Sequence, residues 1–191
     1  LSQKRENEEL RDLFNKLVIG INILPNEFGA AFELAWEHLV KFIQLDHVAG
    51  NYVEGFFDAA KYSMYRDNVL GVCVLGGVWP KYYTPVKGSD LETDLRTGKI
   101  RADAIVVTGK GTGEETPIGK IREFRRILGD YPLVVGAGLN AGNAEEQLLI
   151  ADGAIVGSYF KEDNATYKPV VRGKVRDFMD VVKEVRKRKA A

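Results

Sequence analysis

Two neighbouring apolar runs in the carboxyl half of the chain each end in glycine followed by a polar side chain. Glycine lets backbone N–H groups approach a ligand closely, and N–H groups at strand–helix junctions bind phosphate and related anions. The spacing therefore predicts a site for inorganic phosphate, sulfate or a phosphorylated small molecule. The residues assigned to it are Gly136, Gly138, Asn140, Gly157 and Ser158. The alternative interpretation is that these glycines only form tight turns.

A second polar, glycine-rich stretch covers residues 108–117 and follows another apolar run. It holds three glycines but lacks the residue order of a P-loop. Because such a loop is polar and mobile, we predict that Gly109, Lys110 and Gly111 contact the ligand or close over it. A plain flexible connection is the alternative.

Two ionisable residues follow apolar runs and are the catalytic candidates. Asp46 could act as a general base or metal ligand, and Lys81 could pair with an anion or act as an electrophile. The alternative for each is a capping or surface charge. With two histidines, one cysteine and no dense carboxylate cluster, the sequence predicts no metal site and no cofactor.

The elements that must position these residues alternate regularly. Short runs rich in Val, Ile and Leu have the pattern of strands buried on both faces, and segments of helical periodicity separate them. The strand runs are 17–24, 41–48, 69–78, 102–108, 133–139 and 154–158, and the helical segments are 1–14, 27–39, 54–66, 90–97, 118–128, 143–150 and 172–187. This alternation predicts a parallel α/β fold, either an open doubly wound sheet or a closed barrel.

The barrel is favoured because glycines and polar residues cluster after the strands, where active sites of TIM barrels lie. No glycine-rich dinucleotide fingerprint opens the first unit. We therefore predict a single domain over residues 1–191, of the (β/α)8 TIM-barrel type. With six strands visible, the first one to two βα units have no counterpart in this sequence. Open sheet edges would be covered by another subunit, which predicts a homo-oligomer.

Composition excludes several classes of partner. Twenty-seven basic residues balance twenty-seven acidic ones, so no net field attracts nucleic acid or an acidic membrane. No apolar stretch reaches the ~20 residues of a membrane span, and the polar start is no secretory signal. Cys73 lies in an apolar run and is expected to be a buried small hydrophobe in a reducing cytoplasm. Trp36 is expected to pack inside its helix interface, and His38 to lie on the surface.

Several stretches together resemble the BtpA/SgcQ family, a group of TIM barrels of the ribulose-phosphate-binding type. The resemblance begins near Val18 and is strongest after Arg101. It is carried by residues 102–109, 111–113, 135–138, 143, 151–158, 161, 169 and 175–179. The family includes a factor needed for photosystem I accumulation and proteins linked to sugar metabolism, and it has no firmly assigned reaction. The resemblance thus implies the barrel and the phosphate site.

The chain departs from the family pattern at the catalytic candidates. The family's first strand, with its His and Pro-rich loop, has no counterpart here. Where the family shows Asp-x-His-x-Lys-His, this chain has residues 76–82, in which Lys81 matches the lysine and no histidine is present. Asp46 stands where the family more often has Asn. These departures bear on catalysis more than on binding.

The sequence thus leaves three functions open. The first is an isomerase, epimerase or lyase acting on a phosphorylated sugar or nucleotide-like metabolite. The second is a non-catalytic assembly or scaffolding factor that keeps the barrel. The third is a relative of prenyl-phosphate or indole-type synthases, which would need a long apolar tunnel that the sequence does not indicate.

Overall fold

The computed structural model describes residues 16–190, so the helix expected over residues 1–14 lies outside them. Strands and helices alternate along the described chain, and the six strands follow one another in the sheet in chain order. The strands are β1 (Gly20–Asn22), β2 (Phe42–Leu45), β3 (Cys73–Gly77), β4 (Ala104–Val107), β5 (Leu133–Val135) and β6 (Gly153–Ala154). The helices are α1 (Phe28–Glu37), α2 (Ala59–Asn68), α3 (Leu91–Arg101), α4 (Ile118–Leu128), α5 (Ala144–Ile150) and α6 (Arg172–Ala190). The predicted α/β class with alternating strands and helices is confirmed.

The chain divides into two compact units. Of the described residues, the first comprises 16–46 and 58–75, and the second comprises 47–57 and 76–190. In the first unit β1 and β2 pair in parallel, with Ile21 opposite Ile43. Phe32 of α1 and Tyr62 of α2 are buried with ring centroids 5.9 Å apart, and this contact joins the two helices.

The second unit is built on β4, β5 and β6, which pair in parallel. All four residues of β4 are buried, as a continuous apolar run predicts for a central parallel strand. Asp90 caps the amino end of helix α3, because its carboxylate accepts a hydrogen bond from Thr93 N at 2.7 Å, the usual form of an N-cap. Helix α4 packs Ile121, Phe124 and Leu128 inward. The carboxyl ends of β4, β5 and β6 therefore carry their loops to one edge of this unit.

Three expectations from the sequence are wrong. Helix α2 begins at Ala59 rather than at residue 54, because the Asp58 carboxylate caps it by accepting from Lys61 N at 2.9 Å. Cys73 is exposed, because side chains alternate across β3 and the buried position falls on Val74. Trp36 is 64% exposed, since α1 buries small residues and Phe32 instead.

Candidate functional site

Three strand-end loops of the second unit meet through their glycines. The loop after β4 lies against the loop after β5 at Gly138, where a Cβ would overlap the backbone of Glu114. Gly113, in the loop after β4, also faces the segment after β6, since a Cβ placed at Gly113 would be 3.6 Å from Ser158 Oγ. Both glycines have positive φ, +80° at Gly113 and +70° at Gly138, a region that side chains disfavour. The structure thus brings together the glycine-rich loop and the two predicted phosphate loops.

The remaining glycines of these loops shape the backbone. The Gly136 N–H donates to Val107 O at 2.8 Å, so this group belongs to the sheet and is not open to a ligand. A Cβ at Gly109 would lie 2.7 Å from Glu115 O, which allows the loop to fold tightly on itself. Gly109 and Gly111 are buried, whereas Lys110 is exposed at the loop surface.

Asn140 closes the loop after β5 onto helix α5. Its Oδ1 accepts from Gly142 N at 2.8 Å, and its own N–H donates to Asn143 Oδ1 at 2.9 Å. Asn143 Nδ2 in turn donates to Gly138 O at 3.0 Å. The side-chain oxygen of Asn140 is therefore used within the loop, and Asn143 rather than Asn140 contacts Gly138.

Gly157 and Ser158 lie after β6, at the start of a short 3-10 helix, Ser158–Phe160. Gly157 is exposed, and a Cβ there would meet no atom within 4 Å. Ser158 is half-buried beside Gly113. The surface at Gly157 is consequently open, in contrast to the backbone contact at Gly138.

Lys81 contacts the glycine-rich loop with both ends of the residue. Its N–H donates to Thr108 Oγ1 at 2.7 Å, and its ammonium group donates to Thr112 Oγ1 at 2.8 Å. The neighbouring Tyr82 hydroxyl accepts from Thr112 N at 2.9 Å and lies 3.1 Å from Thr112 Oγ1. Two hydrogen bonds with Thr112 lower the pKa of the Tyr82 phenol, and the bond to the threonine side chain has a larger effect than the bond to its backbone.

Lys120 is a site residue that the sequence reasoning missed. Its ammonium group donates to Trp79 O at 2.7 Å and to Thr108 O at 2.9 Å, and so joins the loops after β3 and β4. Burial lowers the pKa of this lysine. One signal was available: a lysine in the first turn of a helix opposes the helix dipole, which indicates another role for the side chain.

Gln147 of α5 also fixes the glycine-rich loop, and no sequence signal indicated it. The side chain is 1% exposed, and Nε2 donates to Glu115 Oε1 at 3.0 Å. Thr116, fully buried, donates from Oγ1 to Ala137 O at 3.1 Å. The far end of the loop is thereby attached to the loop after β5 and to α5.

Aromatic residues support the loop after β3. Trp79 N donates to the Tyr52 hydroxyl at 2.9 Å, and Trp79 Nε1 donates to Asp94 Oδ2 at 2.8 Å. The imidazole of His47 is 2% exposed, with ring centroids 4.8 Å from both Tyr52 and Tyr83. Burial lowers the pKa of His47 to about 4 and raises that of Tyr52.

Asp46, the other catalytic candidate, follows β2 and is half-buried in the first compact unit. Lys81 belongs to the second unit. Within residues 16–190, no three His, Cys, Asp or Glu side chains are grouped so as to hold a metal ion. None of the helices in this described range has the length and apolar character needed to cross a bilayer.

Comparison with known families identifies the chain by its sequence. The model of the BtpA family matches residues 10–184. The chain belongs to the BtpA family. The resemblance inferred from the strand-end motifs is therefore confirmed.

Several relatives of this BtpA-family chain are uncharacterized proteins of archaea. An uncharacterized protein of Thermococcus kodakarensis is 30% identical over 179 residues, which cover 89% of this chain and 67% of that protein. The photosystem I biogenesis protein BtpA of Synechocystis is 25% identical over 175 residues, which cover 87% of this chain and 60% of that protein. The chain thus spans about two thirds of its relatives' length.

Among solved structures, N-(5'-phosphoribosyl)anthranilate isomerase from Pyrococcus furiosus has a similar fold. The TM-score is 0.59 at 18% identity, and the match covers 93% of this chain and 80% of the isomerase. At this identity the likeness concerns the fold, and it confirms the TIM-barrel type predicted for the BtpA-family chain.

Proposed function

We propose that this protein binds the phosphate of a small phosphorylated metabolite at the loops after β4, β5 and β6. The metabolite would be a sugar phosphate or a nucleotide-like compound, and the chemistry would be of the isomerase, epimerase or lyase type. The single observation that carries the proposal is the meeting of the three glycine loops at Gly113, Gly138 and Ser158. Glycine-lined backbone at strand ends is suited to an anion, because N–H groups can approach it without obstruction by side chains.

The openness at Gly157 supports the same location. A phosphate needs room beside backbone N–H groups, and apart from its two chain neighbours no residue comes within 4 Å of a Cβ placed at Gly157. Ser158 Oγ can donate a further hydrogen bond there. In TIM-barrel enzymes the last two strand–loop units commonly form a phosphate site, and the isomerase with the similar fold acts, by its name, on a phosphoribosyl compound.

Lys81 is the proposed charged group at the reacting end of the ligand. It lies on Thr112, next to Gly113 in the chain, so the ammonium group stands at the same loop as the proposed phosphate site. Asp46 stays a prediction as a general base. Self-association, a cytoplasmic location and a single domain over residues 1–191 also stay predictions.

An assembly or scaffolding role is the second candidate. The observation that favours it is the relative in Synechocystis, whose name describes photosystem I biogenesis. A scaffolding protein would keep the fold without needing an open anion site, so ligand binding separates the two functions.

The test is a thermal-shift and calorimetric titration with inorganic phosphate, sulfate and a panel of sugar phosphates and nucleotides. A ligand that binds the folded state raises the melting temperature by mass action. We expect a rise with phosphate and a larger rise with at least one phosphorylated metabolite. Gly157→Asp should abolish both, because its carboxylate repels the anion, whereas the matched neutral variant Gly157→Asn should keep binding. No shift with any anion, or equal loss in both variants, would contradict the anion site and favour scaffolding.

A further inference from the structure

The loop after β3 holds two bulky residues in backbone conformations that such residues rarely adopt. Trp79 has φ of +48° and Tyr82 has φ of +67°. A left-handed conformation at a large side chain is unfavourable and persists only where surrounding contacts enforce it. Here the contacts are those of Lys120 with Trp79 O and of Thr108 with Lys81 N. Strain of this kind is typical of sites where a side chain is held in a functional position.

Lys81, Tyr82 and Thr112 form a polar cluster in and beside this loop. The ammonium nitrogen of Lys81 lies 5.6 Å from the centroid of the Tyr82 ring, and both side chains contact Thr112 Oγ1. Tyr82 is 65% exposed, so its hydroxyl is accessible to a ligand. The ammonium group has three N–H donors, of which the contact with Thr112 uses one.

The hydrogen bonds of this cluster suit either protonation state of the phenol. Thr112 N donates to the Tyr82 oxygen at 2.9 Å, and this donor suits a phenol and a phenolate alike. The phenol can donate to Thr112 Oγ1, and once it has lost its proton the threonine hydroxyl can donate in return, because hydroxyl hydrogens rotate. The nearby charges are the favourable Lys81 and the opposing Glu114. A phenol that titrates more readily than usual is a better general base near neutral pH.

We propose that Tyr82 is the proton-transferring residue of this site and that Lys81 stabilises the negative charge that the transfer creates. The substrate would be a phosphorylated compound in which a carbonyl group lies next to a hydroxyl-bearing carbon, and this carbon loses its proton. The Tyr82 phenolate takes that proton, and the C–H electron pair moves onto the carbonyl oxygen to give an enediolate. The Lys81 ammonium group donates a hydrogen bond to the enediolate oxygen. The hydroxyl proton of the enediolate moves to the former carbonyl oxygen, with the Lys81 ammonium group between the two oxygens as the donor and acceptor of that proton. The phenol then returns its proton to the former carbonyl carbon, the new carbonyl forms at the other carbon, and the isomerisation is complete with no other reactant.

The assignment rests on the proposed phosphate site, because that site brings the substrate to the loop. Thr112 precedes Gly113, which faces Ser158. A substrate whose phosphate binds at Gly157 and Ser158 would therefore extend its carbon skeleton along the loop that carries the cluster. The proposed step needs no second base, so Asp46 is not required for it.

The first part of the test needs no ligand. Absorbance titration of the phenolates should show one tyrosine that ionises at lower pH than the others. That step should disappear in Tyr82→Phe, remain in Tyr167→Phe, which removes another exposed tyrosine, and move to higher pH in Thr112→Val and Lys81→Met. A step that survives in Tyr82→Phe would overturn the assignment.

The second part measures deuterium uptake from heavy water by dihydroxyacetone phosphate, ribulose 5-phosphate and fructose 6-phosphate. The parent protein should catalyse uptake into at least one of them, and Tyr82→Phe should slow it by at least ~100-fold. Phosphate binding by Tyr82→Phe should stay within about twofold of the parent, whereas Gly157→Asp should lose binding and uptake together. Unchanged uptake in Tyr82→Phe, or binding without uptake in the parent, would overturn the role of Tyr82 and leave the phosphate site standing. Absence of phosphate binding in the parent would instead refute the proposed function.

Discussion

His47 should make the folded protein sensitive to mild acid. Its imidazole is buried against Tyr52 and Tyr83, and burial lowers its pKa from 6.5 to about 4. In the unfolded chain the same ring is hydrated and ionises near its ordinary value. Between these two pKa values the unfolded state binds one more proton than the folded state, so the free energy of unfolding must fall as the pH falls.

The size of the effect follows from the difference between the two pKa values. One pKa unit corresponds to about 1.36 kcal/mol, so lowering the pH from about 7 to about 4 should remove about 3 kcal/mol of stability. The stability that comes from keeping His47 neutral is nearly complete at neutral pH, and it is lost progressively below about pH 6.5. Since small proteins are stable by roughly 5–15 kcal/mol, a loss of this size is easily measured.

The assay is urea unfolding followed by circular dichroism at several pH values across this range. His47→Phe and His47→Leu remove the titrating ring, so both should show a flatter dependence of unfolding free energy on pH, whatever their stability at neutral pH. His38→Gln is the matched control, because the chain has two histidines and His38 is exposed at the end of α1. Carboxylates titrate equally in all four proteins, and comparison with the parent therefore isolates the histidine.

One result would refute the reasoning. If His47→Phe and His47→Leu lose stability with falling pH as steeply as the parent does, the buried imidazole is not the group that binds the extra proton. A flattened dependence in His38→Gln would lead to the same conclusion.

Two further predictions concern the loops and their support. Gly138→Ala should destabilise the protein by about 1–3 kcal/mol and weaken phosphate binding, because its Cβ would overlap the Glu114 backbone at positive φ. Gly157→Ala is the control, since the position has open space, and it should change the unfolding free energy by less than about 0.5 kcal/mol. Equal losses of unfolding free energy in the two variants, measured by urea unfolding, would contradict the geometry. Arg125→Lys should lower the unfolding free energy by about 1–3 kcal/mol, because the guanidinium donates to three carbonyl oxygens and to Asp152, which an ammonium group cannot reproduce. Arg126→Lys, at the exposed neighbouring position, should have nearly the unfolding free energy of the parent. If Arg125→Lys leaves the unfolding free energy unchanged, the hydrogen bonds of the Arg125 guanidinium contribute little to stability.

The strands of the second unit could be predicted from the sequence because burial on both faces leaves a direct trace. β4 is four apolar residues in a row, and β5 is three. The start of α2 could not be predicted from periodicity, since it depends on the cap at Asp58. Cys73 was assigned to the core because an apolar run was considered as a whole, whereas the alternation within β3 decides which residue is buried.

The candidate site also has a part that could be predicted from the sequence and a part that could not. Glycines at strand ends are visible in the sequence, and the structure places Gly113, Gly138 and Ser158 together. The cluster of Lys81, Tyr82 and Thr112 could not be predicted from the sequence, because it depends on a loop whose bulky residues adopt left-handed conformations. Sequence reasoning assigns such conformations to glycine, and it therefore has no means of aiming Tyr82 at Thr112.

The two carbonyl contacts of Lys120 make the loops after β3 and β4 mechanically dependent on each other. One half-buried ammonium group lies between Trp79 O and Thr108 O, and Thr108 also holds Lys81 through its hydroxyl. If either loop moved away alone, the charge would lose an acceptor in surroundings where little water can replace it. The loops are thus constrained to shift as a pair with the first turn of α4 as their common pivot, and a change in one of them is transmitted to the other.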